Sequence, residues 1–329
     1  TYLLKSNHEV ALNYSNQIKA VELEKHLNIL ASDEYEGRET TTPGQKKAAK
    51  YIKNHFIKTN VSFPKSLNSY YQQFMVEVST FSNVKLKIND SSLKFINDFY
   101  SFGTPLNTQS VSTQIIKAGY GITNKYHDDY KGLNVKGSVV AIKRGVPESQ
   151  HYKTKEGSWR SKIKTATKNG AIAVILLEND YKNTDLRIKE YLKNPIMKMH
   201  GNQTTKSHIP VFVIDKDIID THNKNALKIT FSTNVSESKP AENVLGFIPG
   251  RSDEIIVISA HYDHIGYDNG KICNGADDDG SGTSALLEIA KAFQKANDDG
   301  ITPERGLLFL AVSGEEKGLF GSKYYTDNP

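Results

Sequence analysis

Residues 254–260 (EIIVISA), 283–296 (TSALLEIAKAFQKA) and 306–313 (GLLFLAVS) decide the fold. The first and third are short continuous apolar runs, the pattern of strands covered on both faces in a parallel sheet. The middle one places Leu286, Leu287, Ile289, Ala290 and Phe293 on one side of an amphipathic helix. Strand, helix and strand make a βαβ unit, and in an open α/β sheet ligands collect beyond the carboxyl ends of the strands. Just beyond those ends stand His261, Asp263 and His264 (HYDH) and the pair Glu315 and Glu316 (SGEEKGLFGS). Asp277, Asp278 and Asp279 (GADDDGSGT) lie in the loop between, ahead of the helix.

These residue types in this arrangement point to metal chemistry. Imidazole and carboxylate donors without thiolate suit catalytic zinc, manganese or cobalt, and an aspartate in the 277–279 run could bridge two ions. Adjacent glutamates point in different directions, so one can bind metal while the other serves as a base toward an activated water. Taken singly, each feature has a plainer explanation. An aspartate before a helix usually caps it, and a glutamate pair after a strand usually lines a solvated turn. Asp277, Asp279, Ser281, Gly282 and Glu288 also have EF-hand spacing, but 266–275 (GYDNGKICNG) cannot be an entering helix and Glu288 falls inside a helix already begun.

Composition narrows the class. A chain of 329 residues accommodates two domains, and 37% hydrophobic with 9% aromatic residues is a globular balance. No run approaches the roughly 18 apolar residues of a membrane span. A net charge of +5, spread through Asn- and Ser-rich stretches, reads as a solvated surface and argues against a nucleic-acid partner. Cys273 is the single cysteine, so an internal disulfide and thiolate zinc patterns are excluded.

Read outward from the decisive stretch, 17–30 forms a helix and so does the segment after Thr42, with Thr42 as N-cap, Pro43 in the first turn, and Ala48, Ala49, Ile52 and Phe56 buried. Arg38, in the turn before it, reads as the cation of a loop-to-helix salt bridge. Residues 71–80 and 83–89 alternate and are expected to pair as a hairpin. Beyond 97 come strands at 114–121, 137–143, 171–177 and 209–214 and a helix at 161–169, then a return linker at 236–240 and a strand at 243–248. The expected organisation is a first part of a catalytic domain at 1–96, an insert at 97–236, and the metal-site part at 237–329.

Together HYDH, GADDDGSGTSALLEIA and SGEEKGLFGS resemble the co-catalytic zinc peptidase family that includes bacterial leucine aminopeptidases, aminopeptidase S and glutamate carboxypeptidase II. LASDEYEGRETTTPG near the start extends the likeness. AGYGI, DDYKGLNVKGSVVAIKRG and GAIAVILL resemble the protease-associated domain that many members carry. The resemblance implies a three-layer α/β/α mixed sheet, incomplete at its C-terminal side, with an inserted β-rich domain. It also implies two zinc ions, with His261 a ligand of one, Glu316 a ligand of the other, and Asp278 the bridge. Asp263 would orient His261, Glu315 would be the general base, and Asp277 and Asp279 would be loop and cap residues; no role is implied for His264.

The function so implied is a metallo-aminopeptidase acting on peptides. The alternatives are a carboxypeptidase or glutaminyl cyclase of the same fold, or a non-catalytic peptide-binding module. By the same analogy the protein is exported, with a signal peptide removed. The family's remaining aspartate and histidine ligands follow the double glutamate by more residues than this chain has, so the chain is expected to be a trimmed copy holding metal incompletely. The strands ending at Ala260 and Ser313 are then expected to expose an apolar patch, open to a missing C-terminal segment or to self-association.

Overall fold

The computed structural model describes residues 2–81, 84–102, 110–148, 155–183, 188, 192, 194–199, 209–220, 227–233 and 235–329. In chain order the described elements are α1 (Tyr2–Ser15), α2 (Ala20–Leu30), a 3-10 segment (Asp33–Arg38), α3 (Pro43–Lys58), β1 (Tyr71–Thr80), β2 (Lys85–Ile88), β3 (Ser91–Leu93), β4 (Phe99–Phe102) and β5 (Val111–Lys117). There follow β6 (Val139–Lys143), α4 (Trp159–Lys168), β7 (Ala173–Glu178), β8 (Ile196–Met199), β9 (Val211–Asp215), α5 (Lys216–Asp220) and β10 (Leu227–Ser232). The last part holds β11 (Val235–Ile248), β12 (Ile255–His261), β13 (Gly266–Asp268), β14 (Lys271–Cys273), a π-type turn (Ala276–Gly280), α6 (Ser281–Asp298), β15 (Gly306–Val312) and α7 (Phe320–Asp327). The chain divides into two compact units: Thr1–Val76 with Lys198–His200 and Ser238–Pro329, and Glu77–Met197 with Gly201–Glu237.

The first unit is built on a five-stranded sheet in the order β12-β15-β11-β1-β8. β12 and β15 pair in parallel, His261 opposite Val312, while β11 runs antiparallel to β15 with Val244 opposite Ala311. One face packs Val244, Ile248, Leu307, Phe309 and Ala311 against Leu30, Ala48, Ala49, Ile52 and Phe56 of α2 and α3 and Leu286, Leu287 and Ala290 of α6. The other face, Leu245, Leu308, Leu310 and Val312, meets Leu67, Phe247 and Tyr325, the last on α7. Helices therefore cover the mixed sheet from both sides, the three-layer α/β/α arrangement expected.

The second unit has an eight-stranded sheet in the order β3-β2-β10-β5-β6-β7-β9-β4. β5, β6, β7 and β9 are parallel neighbours, and β4, β10, β2 and β3 add antiparallel edges. Among the described residues its core clusters around Val139–Ile142, Ala173–Leu177 and Val211–Ile214. On α4, Lys162 is buried among these residues, and its Nζ donates to the carbonyls of Lys143 and Gly145 at 2.6 Å each.

Several expectations are corrected. Residues 71–80 and 85–88 are not a hairpin: β1 lies in the first sheet, whereas β2 pairs with β10 in the second, Ile88 opposite Ile229. The two runs look alike because alternation reports a half-buried strand and not the identity of its partner. The compact units divide after Val76, and 236–240 is strand within β11 instead of a linker. On α6, Phe293 is 41% exposed while Glu288 is buried.

The two metal-site strands also differ from each other. β15 is buried along its whole length because it is flanked by strands and covered on both faces, contrary to the expected exposure. β12 is the edge strand, and Ile255, Ile256 and Val257 are 52%, 43% and 47% exposed, so the apolar run that reads as fully covered is open here.

Lys162 gives a pH test of the insert's core. Burial pulls its ammonium from 10.5 down to about 8, against an opposing pull from Asp129. Between those two values the unfolded chain holds the extra proton, so this lysine's contribution makes stability rise with pH across that window. Denaturant midpoints followed from pH 7 to pH 9.5 are expected to rise for the wild type relative to Lys162→Met; parallel pH profiles would contradict it.

Candidate metal centre

The parallel register sets the geometry. With His261 opposite Val312, the chains leaving β12 and β15 depart from the same edge of the sheet, and α6 between them starts at that edge. The loop ahead of α6 is clamped to the strand end. Asp279 accepts from the His261 amide through Oδ2 at 3.2 Å and from the Gly282 amide through Oδ1 at 2.9 Å, and Thr283 Oγ1 donates to the His261 carbonyl at 2.9 Å. Asp279 stands just ahead of the N-cap residue Gly280, and its carboxylate satisfies an orphan amide in the first turn of α6. Gly282 is needed there because a Cβ would stand 2.2 Å from Asp279 Oδ1.

Asp278 is left free to face the other side chains. Its Oδ1 lies 3.0 Å from His261 Nε2, and it also forms a cluster with His264 and Glu316 in which one donor atom of each lies within 4.8 Å of the others. His264 Nδ1 is 2.7 Å from Glu316 Oε1. His261 Nδ1 lies 3.2 Å from the Asp263 carbonyl, a contact suited to an Nδ1–H donor that leaves Nε2 free as a ligand. A carboxylate 67% exposed, in reach of an imidazole on one side and of an imidazole with a carboxylate on the other, is placed as a bridging group would be. The donor set is oxygen and nitrogen only, which fits zinc and related divalent ions.

Asp263 differs from its expected role in detail. Its carboxylate is wholly buried, 3.9 Å from His261 Nδ1, which is held instead by Asp263's own carbonyl. The carboxylate accepts from Thr40 Oγ1 at 3.0 Å and from the Glu315 amide at 3.2 Å. It therefore ties the HYDH loop to the SGEE loop. Burial pushes its pKa up, against hydrogen bonds from the Glu315 amide and Thr40. Glu315 itself is half-buried, and no hydrogen bond or ion pair to its carboxylate is found among the described residues, which leaves it available to take a proton.

Arg38 is not the salt-bridge cation read for it: among the described residues it has no ion pair within 4.0 Å. It is fully buried and donates to four backbone carbonyls: Tyr262 from Nε at 2.8 Å, Asn274 from Nη1 at 2.7 Å, Gly275 from Nη2 at 2.8 Å, and Leu30 from Nη1. One guanidinium thereby joins the end of α2, the HYDH segment and the loop before the aspartates. Burial lowers its pKa, while the charges of Asp263 and Asp279 hold it up. Gly275 is at φ 56, and a Cβ on it would sit 2.5 Å from His264 Cγ, so His264 packs directly on this loop's backbone.

The residues anticipated from sequence, His261, Asp263, Asp278, Glu315 and Glu316, all meet at this edge. Asp277 does not join them; it is exposed, and its carbonyl accepts from Ser281. His264, for which no role was expected, stands with Asp278 and Glu316 as a candidate ligand. Thr40 and the ion pair of Lys317 with Glu39 at 2.8 Å are further neighbours that the sequence did not disclose. Only the adjacency of Lys317 to the glutamates hinted at the latter.

Comparison with known proteins agrees with this layout. Residues 243–329 match Peptidase family M28 and residues 107–221 match the PA domain, so both parts of the resemblance are found where their motifs lie. Aminopeptidase YwaD of Bacillus subtilis is 30% identical over 234 residues, covering 69% of this chain and 42% of the relative. Leucine aminopeptidase 1 of Fusarium vanettenii is 41% identical over 85 residues, covering 25% of this chain and 21% of the relative. This chain therefore spans less than half the length of either. Among solved structures, an aminopeptidase from Aneurinibacillus sp. strain AM-1 has the same fold at a TM-score of 0.55, with 22% identity, 95% of this chain and 67% of that chain covered.

Replacing Arg38 by Met removes the donor from the buried carbonyls of Leu30 and Tyr262 and the part-buried one of Asn274, while the Gly275 carbonyl keeps the Gly280 amide. At about 1–3 kcal/mol for an unpaired buried group, and with partial relaxation, the expected loss is roughly 3–5 kcal/mol of stability by denaturant unfolding. A loss below about 1 kcal/mol would show that those carbonyls find other partners.

Proposed function

We propose that this chain is the metal-bearing part of a zinc-dependent aminopeptidase that removes N-terminal residues from peptides. The single observation that carries the reading is the placing of Asp278 between His261 and the His264 and Glu316 pair, with the unpaired carboxylate of Glu315 on the same loop. His261, Asp278 and Glu316, joined by His264, would hold two ions. Bound there, the metal would lower the pKa of water and polarise the scissile carbonyl.

The protein's own groups supply the remaining work. Glu315 accepts the proton of the attacking water and returns it to the leaving amine. Asp263 fixes the Glu315 backbone and so positions that base. Asp279 and Thr283 fix the His261 backbone, and Arg38 holds the loops at their separation.

Electrostatics favours an amino terminus over a carboxyl terminus. A substrate carboxylate would need a free cation, and among the described residues Arg38 is engaged by carbonyls and Lys317 by Glu39. The names of the curated relatives, Aminopeptidase YwaD and Leucine aminopeptidase 1, support the same choice. A further strand, from the same protein or a second copy, is the partner suited to the exposed edge of β12, and export rests on the family resemblance.

Hydrolysis of aminoacyl-4-nitroanilides by the chain supplied with zinc is expected, with loss on chelation. Glu315→Gln is expected to lower kcat by roughly 10²–10⁴ while metal binding persists. Undiminished turnover in that variant would remove Glu315 from the role of base. Release of C-terminal residues with inert nitroanilides would favour the carboxypeptidase alternative.

A further inference from the structure

A second group of metal-ligating side chains lies within the helical layer, apart from the candidate centre. His26 of α2, His55 of α3 and Glu288 of α6 each present one donor atom, and these atoms all lie within 4.8 Å of one another. His26 and Glu288 are buried, with His26 Nε2 3.1 Å from Glu288 Oε1. The imidazoles of His26 and His55 meet edge to face with centroids 4.7 Å apart.

Three features set this group apart from an ordinary buried network. His55 Nε2 is shielded from solvent and has no hydrogen-bond partner. His26 Nδ1 is 2.6 Å from Tyr51 Oη, the kind of outer contact that fixes a ligating imidazole's ring and tautomer while its other nitrogen faces the metal. Both histidines are held neutral, His55 pulled down to about 4 by burial and by His26 beside it, and His26 lowered by burial. Glu288 is held ionised, since its bonds to Lys291 and His26 outweigh burial. Two neutral imidazoles and one carboxylate are the protonation states that a divalent ion requires.

We propose that His26, His55 and Glu288 form a second, structural binding site for a divalent transition-metal ion of the zinc class, pinning α2, α3 and α6 together. The fourth position would hold water. Lys291 is the competitor at the site: its Nζ lies 3.2 Å and 3.0 Å from the two Glu288 oxygens, and with its side chain 39% exposed it can withdraw to solvent when an ion arrives. The distances between donors must contract modestly from the present spread to reach the 2.0–2.2 Å bonds typical of zinc. The proposed site does not depend on the peptidase reading, because none of its residues belongs to that centre.

The test uses the full chain carrying Asp278→Asn and Glu316→Gln, so that the candidate centre no longer competes for metal. Co2+ titration followed by visible d–d absorption, and Zn2+ titration followed by calorimetry, are expected to show one remaining site per chain. Adding His55→Gln or His26→Gln is expected to abolish it, with circular dichroism confirming that each variant is folded. Lys291→Met, on a partly exposed side chain, is expected to tighten binding about tenfold by removing the competing charge. No binding in the double variant, binding indifferent to both histidine changes, or weaker or unchanged binding in Lys291→Met would each overturn the proposal.

Discussion

The guanidinium of Arg38 is the constraint on which the metal-site edge depends. A fully buried cation must have its donors satisfied, and Arg38 satisfies them with carbonyls from Leu30, Tyr262, Asn274 and Gly275. Those carbonyls belong to the end of α2, the segment leaving β12 and the loop leading to the aspartates. Three pieces far apart in sequence are therefore fixed relative to one charge. The charges of Asp263 and Asp279 offset the desolvation of that cation. Each of these aspartates also accepts a backbone hydrogen bond that places a functional residue, Asp263 from Glu315 and Asp279 from His261.

This division of labour explains how five neighbouring acidic groups differ in role. Asp263 and Asp279 are consumed by amides and hydroxyls and act on backbone position. Asp278 remains 67% exposed and reaches imidazoles on two sides. Glu316 is paired with His264, and Glu315 is left unpaired. Nothing intrinsic to an aspartate or glutamate separates these fates; hydrogen-bond supply does.

Much of the architecture was legible. The apolar runs gave β12 and β15, the helical stripe gave α6, and the Pro43 start with Ala48, Ala49, Ile52 and Phe56 gave α3, all four of which are fully buried. Errors arose where a local pattern had to name a distant partner. The alternation in 71–80 and 85–88 identified strands but not the separate sheets they enter. The continuous apolar run 255–257 read as covered, yet it lies on an edge strand. Thr42 sits at the N-cap position, but its hydroxyl donates back to the Glu39 carbonyl instead of capping α3. Phe293 fits the helical stripe and still faces outward, while Glu288 on the same helix is buried because His26 and Lys291 satisfy it.

By itself the sequence determined where the candidate metal-ligating residues stand along the chain. His261, Asp278, Glu315 and Glu316 follow strand ends because the periodicity of apolar residues fixes where strands stop. Only the tertiary structure decided that Asp278 reaches imidazoles on two sides, that His264 joins Glu316, that Asp263 accepts from the Glu315 amide, and that Arg38 is a buried hub. The reason is physical. Strand and helix patterns are set by side-chain burial within a few residues, whereas these assignments depend on which donors and acceptors from remote segments arrive within about 3 Å of one another.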